Sequence, residues 1–213
     1  PYTTLFRSEP EQHWLYDTTT GVPTRTPGRR PASYWFKSER TGSAQQQMSF
    51  LAEDERDDLP LVNALRDDVR RWRSSNWENA SETTKKLLRH WSREDRGRRL
   101  FFCQVEAVET IIYLQEILAL GKKPRWTPKL TLNEFQTLSQ GLNPRPQDWK
   151  AKVAQHPKLA DIPNEAGARA IPRYACKMAT GSGKTVVMAM LIAWAFCNRG
   201  TKPGDPRFSR VRL

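Results

Sequence analysis

Apolar residues along the chain gather into four helix-length repeats separated by polar or proline-rich stretches. Leu61, Val62, Leu65, Val69 and Trp72 recur at the spacing of one helix face, which predicts a helix over 59–73. A shorter helix is predicted over 82–91, with Ser81 as its N-cap and Leu87, Leu88 and Trp91 facing inward. Between Gln104 and Leu120 the apolar positions Val108, Ile111, Ile112, Tyr113, Leu114, Ile117 and Leu118 predict a third, closed by Gly121 as C-cap. Val186 to Cys197 is an unbroken apolar run, helical in length but too short to cross a bilayer. Ahead of it, Tyr174, Cys176 and Met178 alternate with Ala175 and Lys177 as in a buried strand, and 207–213 open a further strand.

The remaining stretches lack a period. Residues 9–50 carry Thr, Pro, Gly and Arg between isolated aromatics, Trp14, Tyr34, Trp35 and Phe36, and are expected to form an extended, irregular arm. Those aromatics, interleaved with Arg25, Arg29, Arg30 and Lys37, either stack nucleic-acid bases or pin the arm to a core. The acidic run at 53–58 reads as a helix entry, with acid at the start and Arg70, Arg71 and Arg73 at the end complementing the helix dipole. Residues 122–170, with six prolines, read as a loop-rich insertion holding short helical stretches near 132–138 and 149–154. The first eight residues resemble the translation of a DNA-sequencing adapter and are set aside from the fold. The expected organisation is therefore a mainly helical extension over 9–98, an irregular arm followed by helices, and a nucleotide-binding unit over 99–213.

Composition adds a partner. With 38% hydrophobic residues and eight tryptophans, the 213 residues can bury a core. A formal net charge of +12 points to a polyanion, nucleic acid rather than membrane, because each phosphate neutralised by Lys or Arg releases counterions. The competing reading is that surplus arginine merely solvates the surface or pairs with another part of the protein outside these residues. Cys103, Cys176 and Cys197 lie far apart within apolar pattern and read as reduced core residues of a cytoplasmic protein. His13, His90 and His156 are isolated, so no zinc site is assigned, and no signal-peptide core is present at the N-terminus.

The sharpest signal is Met178-Ala179-Thr180-Gly181-Ser182-Gly183-Lys184-Thr185, which lies between the predicted strand and the long apolar helix. Strand, glycine turn and helix is the order a phosphate-binding loop requires. Gly181 and Gly183 let successive N–H groups face an anion, which the positive end of the helix also attracts. Thr180, Gly181, Ser182, Gly183, Lys184 and Thr185 are thus assigned to a nucleoside triphosphate. Lys184 is expected to reach the β- and γ-phosphates as the catalytic cation, and the Thr185 hydroxyl to join the shell of Mg²⁺. Met178 stands where the strict pattern has glycine, which argues against many kinase-like and GTPase-like loops.

With that loop in place, Phe101-Phe102-Cys103-Gln104 followed by Glu106-Ala107-Val108-Glu109-Thr110 resembles the adenine-recognition segment of superfamily-two helicases. A carboxamide offers both a donor and an acceptor to the N6 and N7 edge of adenine, so Gln104 is assigned to the base. Together with Lys177 to Met190 and Arg207-Phe208-Ser209-Arg210, the pattern is most similar to the DEAD/DEAH-type helicase subunit of type III restriction enzymes and related restriction-like helicases, whose loop Met178 fits. The resemblance implies an α/β fold, here an incomplete RecA-like P-loop NTPase domain, that binds ATP and Mg²⁺ and moves on double-stranded DNA. It also implies a methyltransferase partner, and a nuclease in full type III systems. Asp54-Glu55-Arg56-Asp57 mimics the Mg²⁺-holding Asp-Glu-x-Asp string of helicases but lies upstream of the loop, in a polar run, and is rejected for that role. The carboxylates that activate water are expected beyond Leu213, leaving these residues inactive in hydrolysis by themselves. Two other classes compete: a P-loop transferase such as a small-molecule kinase, which would carry its loop near the N-terminus, and a basic nucleic-acid-binding module that holds a nucleotide for structural reasons.

Overall fold

The computed structural model describes residues 7–17, 20–37, 54–133, 174–205, 207 and 208. The described residues form helices and, nearer the N-terminus, two small antiparallel sheets of two strands each. Strand β1 (Gln12–Tyr16) pairs with β2 (Pro23–Pro27), and β3 (Ser33–Lys37) pairs with β4 (Asp54–Asp58). The described part of the arm expected to be irregular is therefore built largely of strands. Prolines bound β2 where no ladder bond is lost, and Gly21 and Gly28 take positive φ of 67° and 84° at the turns.

The acidic run also differs from its expected role as a helix entry. Asp54–Asp58 pairs along its length with the aromatic segment Ser33–Lys37, from Lys37 opposite Asp54 to Ser33 opposite Asp58. Leu59 N–H continues the pairing onto the Ala32 carbonyl at 2.8 Å, and Pro60 then opens the helix, where its missing N–H costs nothing. Helix α1 (Pro60–Ser74) consequently has no acid in its first turn, although Arg71 and Arg73 occupy its last.

Helix α2 (Glu82–Trp91) begins at Ser81, whose Oγ accepts the Thr84 N–H at 3.0 Å, as a Ser N-cap does. Between α1 and α2, Asn76, Trp77 and Asn79 hold positive φ, unusual for residues with a Cβ. The turn is fixed by buried indoles: Trp72 Nε1 donates to the Glu78 carbonyl at 2.8 Å and Trp77 Nε1 to Glu109 Oε1 at 2.8 Å. The third predicted helix is real but not uniform. Helix α3 (Phe102–Ile112) passes into a π-helical turn, Tyr113–Ile117, then a 3₁₀ turn, Leu118–Leu120, and ends at Gly121 in the left-handed conformation. Tyr113, Leu114, Glu116, Ile117 and Leu118 are all buried, a set too dense for one stripe of an α-helix; the π turn widens the buried face.

Helix α4 (Lys184–Thr201) packs on α2 and α3 through Val187, Met190, Trp194 and Asn198. The core joins these residues to Val69 and Trp72 of α1, Leu88 and Trp91 of α2, and Val108 and Ile112 of α3. Tyr174 to Met178 forms no strand, and no described segment pairs with it. Arg207 and Phe208 lie in a turn, while the rest of the expected terminal strand falls outside the described residues, as do 134–170 of the insertion with its predicted helical stretches. Cys103 and Cys176 are exposed and Cys197 is half-buried; all three are free, and none is the core residue expected. Cys103 follows the helix start on α3, whose inner face is taken by Gln104, Val108, Glu109 and Ile112.

Among the described residues, no helix is long and apolar enough to cross a membrane.

Candidate nucleotide-binding site

The site is built where the beginning of α3 meets the loop that starts α4. Gly181 and Gly183 have φ of 78° and 80°, so the two glycines supply left-handed backbone on either side of Ser182. Gly183 is the N-cap of α4, which has no side-chain cap. Val186 and Val187 return their N–H groups to the Gly183 carbonyl at 3.0 and 3.3 Å, whereas Lys184 and Thr185 precede the first helical hydrogen bond. Their amides sit at the positive end of a helix dipole, the environment an anion seeks.

The loop is closed on one carbonyl. Ala179 O accepts from Ser182 N–H at 3.3 Å, Ser182 Oγ–H at 2.7 Å and the Lys184 ammonium at 3.0 Å. Thr180, Lys184 and Thr185 are exposed, so the cation and both hydroxyls are open to a ligand. Among the described residues, no group of three or more His, Cys, Asp or Glu side chains is arranged to hold a metal. A Mg²⁺ here would depend on Thr185, phosphate oxygens and water, the donor set this hard cation prefers with nucleotides.

Gln104, seventy-eight positions away in sequence, closes the other side. Its Oε1 accepts the Phe101 N–H at 2.9 Å, capping α3, and its Nε2 donates to the Ser182 carbonyl at 2.9 Å. A carboxamide has two donor hydrogens and two acceptor lone pairs, so one of each remains after these bonds. The approach is close enough that a Cβ on Gly183 would stand 2.1 Å from Gln104 Nε2. Glycine is thus favoured at 183 by its φ, and any side chain there would displace the glutamine packed over it.

The structure brings Gln104, Ser182, Gly183 and Lys184 together, with Thr180 and Gly181 on the same loop and Thr185 in the first turn of α4. Sequence reasoning missed what holds α4 against α2 and the π turn. Glu116 is fully buried and receives Thr84 Oγ1–H at 2.7 Å, Trp194 Nε1–H at 3.3 Å, Arg207 Nη1–H at 2.9 Å and the Ser81 N–H. This carboxylate ties α2, the π turn, α4 and Arg207 together. Its signal was an acid amid the apolar positions of the third repeat. Comparison with protein families, with curated proteins and with solved structures finds no match for this chain.

Proposed function

We propose that this chain is the ATP-binding portion of an ATP-dependent DNA helicase or translocase of a type III restriction-like system. In that reading it is a cytoplasmic protein that acts on double-stranded DNA, with a methyltransferase subunit as partner in a complete restriction system. The observation that carries the reading is the Gln104 carboxamide bonded to the Ser182 carbonyl of a glycine loop at a helix N-terminus. The two segments are distant in sequence, and each has the residue types its role requires.

In this assignment the amides of Lys184 and Thr185 and the Lys184 ammonium hold the triphosphate. The ammonium, now on the Ala179 carbonyl, exchanges that neutral acceptor for phosphate oxygens, and charge-assisted bonds of this kind are the stronger. The Thr185 hydroxyl contributes to Mg²⁺, whose chemistry is to neutralise charge on the β- and γ-phosphates. Gln104 is buried, with 5% of its surface exposed, and its remaining lone pair and donor hydrogen are the groups that would match the N6 amine and N7 of adenine. Phosphate affinity and base choice are thereby separated between loop and glutamine.

Competition of ATP and GTP against a fluorescent ATP analogue tests this directly. Gln104→Ala is expected to bring the two competitors to similar affinity while phosphate-dependent binding persists. Retention of the wild-type preference for ATP would remove Gln104 from the base site.

A further inference from the structure

A second collection of cations lies in the N-terminal extension, where the chain leaving β2 crosses α1. An open cleft of about 370 Å³ is lined there by Arg29, Arg30, Asn63, Arg66 and Arg70, with Glu9 and Asp67 as its acids. Asn63, Arg66 and Arg70 are spaced three and four apart on α1 and share one face of the helix. The opposite wall is held by a clamp. Asn63 Oδ1 accepts the Ala32 N–H at 2.7 Å and its Nδ2 donates to the Ala32 carbonyl at 3.2 Å, while Gly28 turns the chain with φ of 84°. Arg29 and Arg30 are thereby fixed beside the arginines of α1.

The charges of this cleft are not balanced from within. Arg29 is neutralised by a two-pronged contact to Glu106 and lies over the Phe102 ring at 5.3 Å. Arg30 is exposed and reaches only the Trp14 carbonyl, which cancels no charge. Arg70 meets Asp67 at 2.6 Å, but Asp67 is shared with the Lys129 ammonium. Arg66 is half-buried and has neither a hydrogen bond nor an ion pair among the described residues. Burial and the neighbouring Arg29 pull its pKa below the usual arginine value, only partly opposed by the Glu106 and Glu9 carboxylates nearby. A guanidinium partly removed from water without a partner is unfavourable, and an anion entering the cleft relieves that penalty.

We propose that this cleft seats the phosphodiester backbone of double-stranded DNA, with Arg66 and Arg70 as principal contacts and Arg30 at the rim. The planar guanidinium fork matches phosphate oxygens in pairs. The cleft is open, as a continuous polyanion requires, and the chain's net charge of +12 has the matching sign. Contacts of this kind recognise backbone and not base sequence. The proposal rests on the DNA-motor reading for its choice of polyanion, but the residues and the loop are tested separately.

The experiment is fluorescence anisotropy of a labelled DNA duplex with the 213-residue chain across a range of NaCl concentrations, alongside binding of the ATP analogue. Arg66→Glu and Arg70→Glu are each expected to weaken DNA binding about tenfold at low salt and to flatten the salt slope by about one. Arg66→Lys is expected to retain most of the slope. Arg125→Glu, at a side chain 92% exposed elsewhere, serves as control and is expected to leave affinity near wild type. ATP-analogue binding is expected to be unchanged in all four, so loss of ATP binding by the wild type would overturn the nucleotide assignment without touching this one. Arg70 is 54% exposed, so its reversal reads the cleft even if Arg66→Glu impairs folding. Unchanged affinity and slope in Arg70→Glu would overturn the proposal, as would an equal loss in Arg125→Glu. Displacement of the duplex by inorganic phosphate at a concentration where chloride has no effect would assign the cleft to a single phosphate instead.

Discussion

Gly183 concentrates the demands of the loop on one position. Its φ of 80° disfavours any side chain, and the Gln104 carboxamide occupies the place a Cβ would take. Gly183→Ala is therefore expected to cost about 1–3 kcal/mol of stability through backbone strain, measured by urea unfolding. The glutamine could swing away from the new methyl only by releasing Ser182, so the same variant is also expected to lose its preference for ATP over GTP. A wild-type preference for ATP in Gly183→Ala would mean that the position of Gln104 over the loop does not set base choice. The glycines and lysine of this site were legible in the sequence because the motif fixes residue type and spacing together. The doubly bonded state of Gln104 was not legible, since it depends on the tertiary approach of two segments far apart in the chain.

The helices were the readable elements, because each buries one periodic face: α2 with its Ser81 cap and α1 with its apolar stripe follow their patterns closely. The strands were unreadable for the opposite reason. Neither the Thr- and Pro-rich β2 nor the acidic β4 alternates, and both exist through backbone pairing with an aromatic partner strand. The π turn escaped detection because it is organised around one buried carboxylate. Glu116→Ala is expected to destabilise the chain by about 3 kcal/mol or more, as breaking a buried charged network does, and to loosen α4 against α2. Thermal or urea unfolding checks this, and a change within about 0.5 kcal/mol, the range of ordinary surface substitutions, would show that Glu116 is not the tie it is described to be.

Acid sensitivity belongs to the segment that follows α4. The Arg207 guanidinium, donating to both oxygens of Asp205, holds that carboxyl down to about 2 against an ordinary 3.8. A depressed carboxyl stabilises the fold above its ordinary pKa, and that stabilisation is lost as pH falls through the folded value. The contribution is thus expected to disappear between about pH 4 and pH 2, and Asp205→Asn is expected to flatten the stability profile there. Identical acid profiles for variant and wild type would contradict the pairing.

For the whole molecule, the long apolar helix has two faces. Val187, Met190 and Trp194 are buried against the other helices, while Met188, Ile192 and Phe196, four apart, are 62%, 57% and 61% exposed. A stripe of this size on a helix favours association, so the chain is expected to self-associate with concentration in sedimentation experiments, and Ile192→Lys to reduce this without lowering thermal stability. A monomeric wild type at all concentrations would show that the stripe is harmless. The central claim remains that the glycine loop holds a nucleotide, and calorimetric titration of the folded chain with Mg·ATP, in wild type and Lys184→Ala, tests it most directly. Lys184 is exposed, so its truncation should leave the fold intact while removing a charge-assisted contact; about tenfold weaker binding or more is expected. Absence of ATP binding by the folded wild type, or equal affinity in Lys184→Ala, would contradict the account.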